Sequence, residues 1–196
     1  MTVAGLLLAA GEGRRMGLPK ALLADDAGVP YLDRAIGTLL EGGCSSVTVV
    51  LGAAAEEAMD ILRSHGWADD EAVSVVVNDE WAEGMGSSLV AGLETLDADA
   101  ALVFLVDLPD VHEDAVARLI GLAGPDALAR ATYDGKPGHP VLIGREHWAG
   151  VIASTEGDRG ARAYLDSHAV HDVPCDDLAT GRDLDRPEDL AGNLDE

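Results

Sequence analysis

Residues 3–20 read VAGLLLAAGEGRRMGLPK. The opening VAGLLL is apolar or glycine without alternation, the pattern of a strand covered on both faces. The loop after it carries Gly11, Gly13 and Gly17 together with Arg14, Arg15 and Lys20. A buried strand that runs directly into a glycine-rich basic loop is the first unit expected of an open α/β sheet. In such sheets ligands bind beyond the carboxyl ends of the strands. The later polar and acidic motifs must then also follow strands.

They do. Strand patterns at Val3–Leu8, Ser46–Leu51, Ala72–Val77 and Ala100–Val106 alternate with helical spacing at Pro30–Glu41, Ala54–Ser64, Ser87–Leu96 and His112–Leu122. NDEWAEGMGSS follows the third strand and DLPD follows the fourth. Beyond residue 125 the pattern loosens. Strands are expected at Ala127–Thr132 and His139–Ile143 around the loop YDGKPG, a helix at Asp158–Ser167, and a strand at Ala169–Val173. In the tail, DLDRPEDL, Pro187 is placed to start a short helix. This order predicts one α/β domain over residues 1–196, with a mostly parallel sheet between two layers of helices.

Composition narrows the partners. The chain has 36 acidic and 13 basic residues and a formal net charge of -23, which repels polyanions and argues against nucleic acid. A small phosphorylated ligand needs only a local basic pocket and is not excluded. With a single Phe, the core must be built from Ala, Val, Leu and Ile. Cys44 and Cys175 lack metal-type spacing, so a reducing cytoplasm is the expected location. The first apolar run has no basic region before it and is too short to span a bilayer, so neither a signal peptide nor a membrane partner is expected.

The opening loop has the design of a phosphate cradle, in which glycines turn backbone N–H groups inward and let a ligand approach. It is neither a Walker A loop nor a dinucleotide fingerprint, since its glycines have the wrong spacing for both. A tight strand-to-helix turn with exposed arginines is the plainer reading. Only Lys20 and Lys136 are lysines, both expected in Gly/Pro-rich loops, where a compact charge on a flexible stem suits a phosphate.

Asp107 ends an apolar strand, where a carboxylate suggests a Mg²⁺ ligand beside a phosphate loop; Asp110 better fits a helix cap. Gly84, Gly86, Ser87 and Ser88 open a helix, as an anion or base site or as a plain serine cap. Asp183 and Asp185 are two apart, on one side if extended, and either complete a metal site with Asp107 or belong to an acidic tail. No zinc spacing and no GxSxG elbow appears.

In this order, LAAGEGRRMGLPK, NDEWAEGMGSSLVAGL, VDLPDV, GKPGHPVL, GDRGAR and DLDRPEDL resemble the MobA-like nucleotidyltransferases, and most of all the molybdenum cofactor cytidylyltransferase branch. The resemblance spans nearly the whole chain; the first motif marks the broad superfamily, and GHPVL with GDRGAR points to the branch. It implies a Rossmann-like fold and a cytoplasmic enzyme that moves NMP from an NTP to a phosphorylated acceptor, a pterin cofactor, with release of pyrophosphate. Arg15 and Lys20 would be catalytic contacts to the NTP phosphates, and Ala9, Ala10, Gly11, Gly13, Gly84 and Ser88 would surround the nucleotide. Asp107, Asp183 and Asp185 would hold Mg²⁺ or Mn²⁺, and His139, Asp158 and Arg162 would lie near the acceptor. LAAG in place of LAGG favours CTP over GTP. The resemblance also implies a molybdoenzyme or its chaperone as recipient of the product. Gly13 stands where the family often carries Ser, which leaves the acceptor open to a sugar phosphate or phospholactate. A non-catalytic nucleotide sensor is the reading from another class.

Overall fold

In the computed structural model, which describes residues 1–191, the strands are β1 (Val3–Ala9), β2 (Ser46–Leu51), β3 (Val73–Val77), β4 (Ala100–Leu105), β5 (Leu128–Tyr133), β6 (Lys136–Gly144) and β7 (His171–Pro174). They form one sheet in the order β3-β2-β1-β4-β6-β5-β7. Only β6 runs against the others: it is antiparallel to both β4 and β5, while β1 is parallel to β2 and β4. Residues 192–196, the end of the expected domain, lie outside the described residues.

The helices are α1 (Tyr31–Glu41), α2 (Ala55–Ser64), α3 (Met85–Leu93), α4 (Glu113–Ile120), α5 (Arg145–Ser154), α6 (Arg162–Asp166) and α7 (Pro187–Ala191). The period-two alternation of β1 explains the layering. Val3, Leu7 and Ala9 join a core with Leu32, Ile36 and Leu39 of α1, Leu62 of α2 and Leu119 of α4. Ala4, Leu6 and Leu8 face the other way, into a core with Leu89 and Leu93 of α3, Trp148 and Val151 of α5, and Leu165 of α6. Both faces of the sheet are therefore covered, and the arrangement is the expected Rossmann-like three-layer sandwich.

Several local expectations change. α3 begins at Met85, so Ser87 and Ser88 lie inside its first turn and cap nothing; Gly84 is the N-cap and makes no side-chain bond. The helix expected over Asp158–Ser167 is broken: a 3-10 turn at Gly157–Arg159 is followed by Gly160 at φ 51, and only then by α6. α5 is absent from the sequence expectation. Its middle holds Gly150, a weak helix former, whose place is explained by the Tyr164 ring: a Cβ there would lie 2.4 Å from Tyr164 Cε2. Lys136 is exposed at the start of β6, not in a loop. β3 lies at the sheet edge and is half-covered, with Val77 exposed, unlike the buried strands its apolar run predicts.

Candidate active site

The central pair β1 and β4 run in parallel with Leu8 opposite Leu105, so the segments that follow both strands emerge side by side. After β1 the loop folds back on itself. Gly17 N–H donates to Gly13 O at 2.8 Å, and Lys20 N–H donates to Gly11 O at 3.3 Å. Gly13 makes this closure possible: its φ is +65, and a Cβ there would lie 1.9 Å from Leu18 O. The fold-back brings Lys20 to the end of β4.

There the Lys20 ammonium bonds to Asp107 Oδ2 and donates to Asp185 Oδ1 at 2.9 Å. Asp107 is buried, at 4% exposure, two residues past β4. Arg15 Nη1 donates to Asp185 Oδ2 at 2.7 Å from a largely exposed position. Carboxylate oxygens of Asp107, Asp183 and Asp185 all lie within 4.8 Å of one another. The tail pair reaches the cluster because Leu184 N–H donates to Asp107 O at 3.0 Å and the Leu184 side chain is buried at 2% exposure. In that extended stretch the two flanking aspartates share the opposite side, facing Asp107.

The electrostatics follow from burial. Removal from water pushes the Asp107 carboxyl above the ordinary aspartate value, with Lys20 pulling it back and Asp183 adding to the rise. Burial also works against the Lys20 charge, but Asp107 and Asp185 outweigh it and hold that pKa above the ordinary lysine value. The Lys20 hydrogen bond holds Asp185 below the usual carboxylate range. Three carboxylates thus meet two cations, Lys20 and Arg15, at this point.

A cleft of about 680 Å³ opens from this cluster. It is lined by Ala9, Ala10, Gly11, Gly13, Lys20, Gly84, Ser88, Asp107, His139, Asp158, Arg162 and Asp183. Of the residues singled out from sequence, Arg15 and Asp185 stand at its margin, reached through the ion pairs above. Ser88 Oγ is buried and accepts from Asn78 Nδ2 at 3.0 Å. Asp158 Oδ1 accepts a long bond, 3.4 Å, from Met85 N–H, so the Gly157–Arg159 turn meets the start of α3 there. His139 precedes a cis peptide to Pro140, and burial, aided by the nearby Arg162 charge, pushes its pKa down to about 4.

Asp110 is not the helix cap it resembles. α4 starts at Glu113, and Asp110 Oδ2 instead accepts from Thr180 N–H at 2.6 Å and Thr180 Oγ1 at 2.5 Å. Lys136 does not line the cleft, whereas Arg14, Trp81, Arg130 and Arg159 do. Arg130 has a signal in the sequence: an arginine within the apolar strand LARATY is costly unless it reaches a polar space. Its Nε is held by Asp172 at 2.6 Å.

Residues 5–173 match the model of the MobA-like NTP transferase domain. The chain belongs to the MobA-like NTP transferase family. Its fold and its enzyme class are those of nucleotidyltransferases, as its motifs predict. It is similar to the curated nicotine blue oxidoreductase of Paenarthrobacter nicotinovorans, at 37% identity over 96% of this chain and 94% of the relative. Among solved structures it is similar to the Rv0371c homologue from Mycobacterium sp. strain JC1, with TM-score 0.79 and 28% identity over 98% of this chain and 94% of that one. Rv0371c of Mycobacterium tuberculosis H37Rv, solved in complex with manganese, shares the fold at TM-score 0.77 and 24% identity over 99% of this chain and 98% of that one. Among the described residues, no helix is long and apolar enough to cross a membrane.

Proposed function

We propose that this MobA-like nucleotidyltransferase transfers CMP from CTP to the phosphate of a pterin cofactor of the molybdopterin type and releases pyrophosphate. The observation that carries the reading is the convergence of Asp107, Asp183, Asp185 and Lys20 at the mouth of one cleft. An oxygen of the acceptor phosphate attacks the α-phosphorus in line, its new P–O bond forms as the bond to pyrophosphate breaks, and pyrophosphate carries off the electron pair. Positioning and charge compensation carry such a reaction.

The three carboxylates fit a hard divalent cation: all offer oxygen, and these oxygens lie within 4.8 Å of one another. Mg²⁺, or Mn²⁺, held there would supply positive charge against the α-phosphate oxygens. Lys20 and Arg15 neutralise the charge that builds on the α-phosphate and on the leaving pyrophosphate. The backbone of Ala9, Ala10, Gly11 and Gly13 approaches the nucleotide, with Gly84 and Ser88 beside the base. His139, Asp158 and Arg162 face the acceptor. Arg159 and Arg162 both line the cleft and make no ion pair among the described residues, whereas most other arginines, Arg14, Arg15, Arg34, Arg118, Arg130 and Arg145 among them, are paired. Uncommitted guanidinium groups in so acidic a chain support an anionic acceptor. A cytoplasmic location fits the two buried free thiols, and a molybdoenzyme or its chaperone would take the product.

A second reading rests on one observation, that a relative 37% identical is named an oxidoreductase. Both cysteines are buried away from the cleft, so neither thiol would carry a redox step there; under this reading a redox cofactor, such as a nicotinamide or flavin nucleotide, would bind in the cleft. Pyrophosphate release, measured with each NTP and Mg²⁺ against molybdopterin, sugar phosphates and phospholactate, decides between the readings. Release with CTP and molybdopterin supports the proposal. Release with another acceptor moves the substrate and keeps the chemistry. No release with any pair, together with tight binding of a nicotinamide or flavin nucleotide, favours the redox reading.

A further inference from the structure

Two of the three carboxylates at the site lie on a segment without regular structure, between β7 and α7. Something must hold that segment, because a metal site needs its ligands placed to a fraction of an ångström. Leu184 anchors one point of it, with its buried side chain and its bond to Asp107 O. On the far side, the Asp185 and Arg186 N–H groups donate to Asp189 Oδ2 at 3.1 and 2.8 Å. On the side before Asp183 the anchor is Thr180, whose N–H and hydroxyl both donate to Asp110 Oδ2. Between the anchors, Gly181 crosses the face of Tyr133 so closely that a Cβ would lie 2.1 Å from the ring, and its φ of +64 turns the chain towards Asp183.

We propose that Asp110 is a positioning residue for the metal site, acting through Thr180. The turn DLPD then has two duties: Asp107 supplies a ligand directly, while Asp107 O holds Leu184 between the other two ligands and Asp110 Oδ2 holds Thr180, three residues before the first of them. The second oxygen of Asp110 supports the assignment. Oδ1 is buried and has no hydrogen-bond partner among the described residues. A carboxylate half-satisfied in this way costs stability, so its benefit lies elsewhere than in packing. The inference rests on the metal reading above.

The test uses Mn²⁺ itself, titrated into the metal-free full chain and followed by the EPR signal of free Mn²⁺, together with amide exchange of Leu184. Removing a direct hydrogen-bond partner of a metal ligand weakens affinity about 10–100-fold. Asp110 and Thr180 act one step further out, so D110A and T180V should each weaken Mn²⁺ binding about tenfold, the lower end of that range, while T180S, which keeps the hydroxyl, should bind like the wild-type chain. T180V should also speed exchange at Leu184 in the absence of metal, a readout that does not depend on activity and that serves if D110A does not fold. If the wild-type chain binds Mn²⁺ and T180V matches it in affinity and in Leu184 exchange, the positioning role is overturned. If the wild-type chain itself binds no Mn²⁺, the metal reading falls, and this inference with it.

Discussion

Lys20 Nζ and Asp185 Oδ1 meet at 2.9 Å although 165 residues separate them in the chain. The contact closes the site: it joins the loop after the first strand to the extended tail, across Asp107 at the end of β4. Lys20 is the one of the two cations at the cluster, with Arg15, that reaches buried Asp107, and its removal should expose a charge deficit that a divalent cation would relieve.

Replacing Lys20 with Met should therefore have two linked effects. Turnover should fall about 10²–10³-fold, as for loss of one oriented group that stabilises transition-state charge. Stability without metal should fall by up to about 3 kcal/mol, the lower edge of the range for stranding a buried charge, because Lys20 is partly exposed. Saturating Mg²⁺ should restore more stability to K20M than it adds to the wild-type chain. Parallel thermal melts with and without Mg²⁺ measure this, and equal shifts in the two proteins would count against the charge-deficit account.

Acid should weaken the fold partly through His139. Its folded pKa of about 4 lies below the ordinary histidine value of about 6.5. Between those values the unfolded chain binds the extra proton and the folded chain does not, so stability is full above about pH 6.5 and declines as pH falls towards 4. H139Q has no such proton to bind. Urea midpoints from pH 7 to 4.5 should fall less steeply for H139Q than for the wild-type chain.

Neither thiol should react in the native protein. Cys44 is buried and burial pushes its pKa up to about 12, and Cys175 is fully buried with its pKa also raised by burial. A thiol-reactive dye should label neither within minutes at pH 8, and both once the chain is unfolded in guanidinium. Rapid native labelling would show that the β7 end, or the end of α1, opens readily.

Gly13 should resist replacement by serine. At φ +65, with Leu18 O where a Cβ would fall, a side chain forces the loop to shift. G13S should cost roughly 1–3 kcal/mol in stability, as for other forced backbone conformations, and weaken NTP binding at least about tenfold by moving Lys20. Thermal melts and nucleotide titration measure both. An unaffected G13S would mean that the loop has a second closed form of equal energy.

Much of this was legible in the chain itself. The apolar runs and their order dictated a parallel sheet, because residues without alternation have no solvent face to offer. The positions of the motifs after strands placed the site. Asp107 stood out as a carboxylate at a strand end, and the two-residue spacing of Asp183 and Asp185 announced a shared side. Local turns were less legible. Ser87 and Ser88 have the chemistry of caps but lie one turn too late, and Asp110 precedes a helix yet bonds to Thr180, because a side chain takes whichever partner the folded chain brings nearest.

The sequence by itself determined the layers, the family and the inventory of charged groups, since these depend on short-range patterns along the chain. Only the tertiary structure decided which of those groups meet. The salt bridge of Lys20 to Asp185, the grip of Asp110 on Thr180 and the antiparallel course of β6 depend on contacts between segments far apart in sequence, and no local pattern encodes the path that brings such segments together.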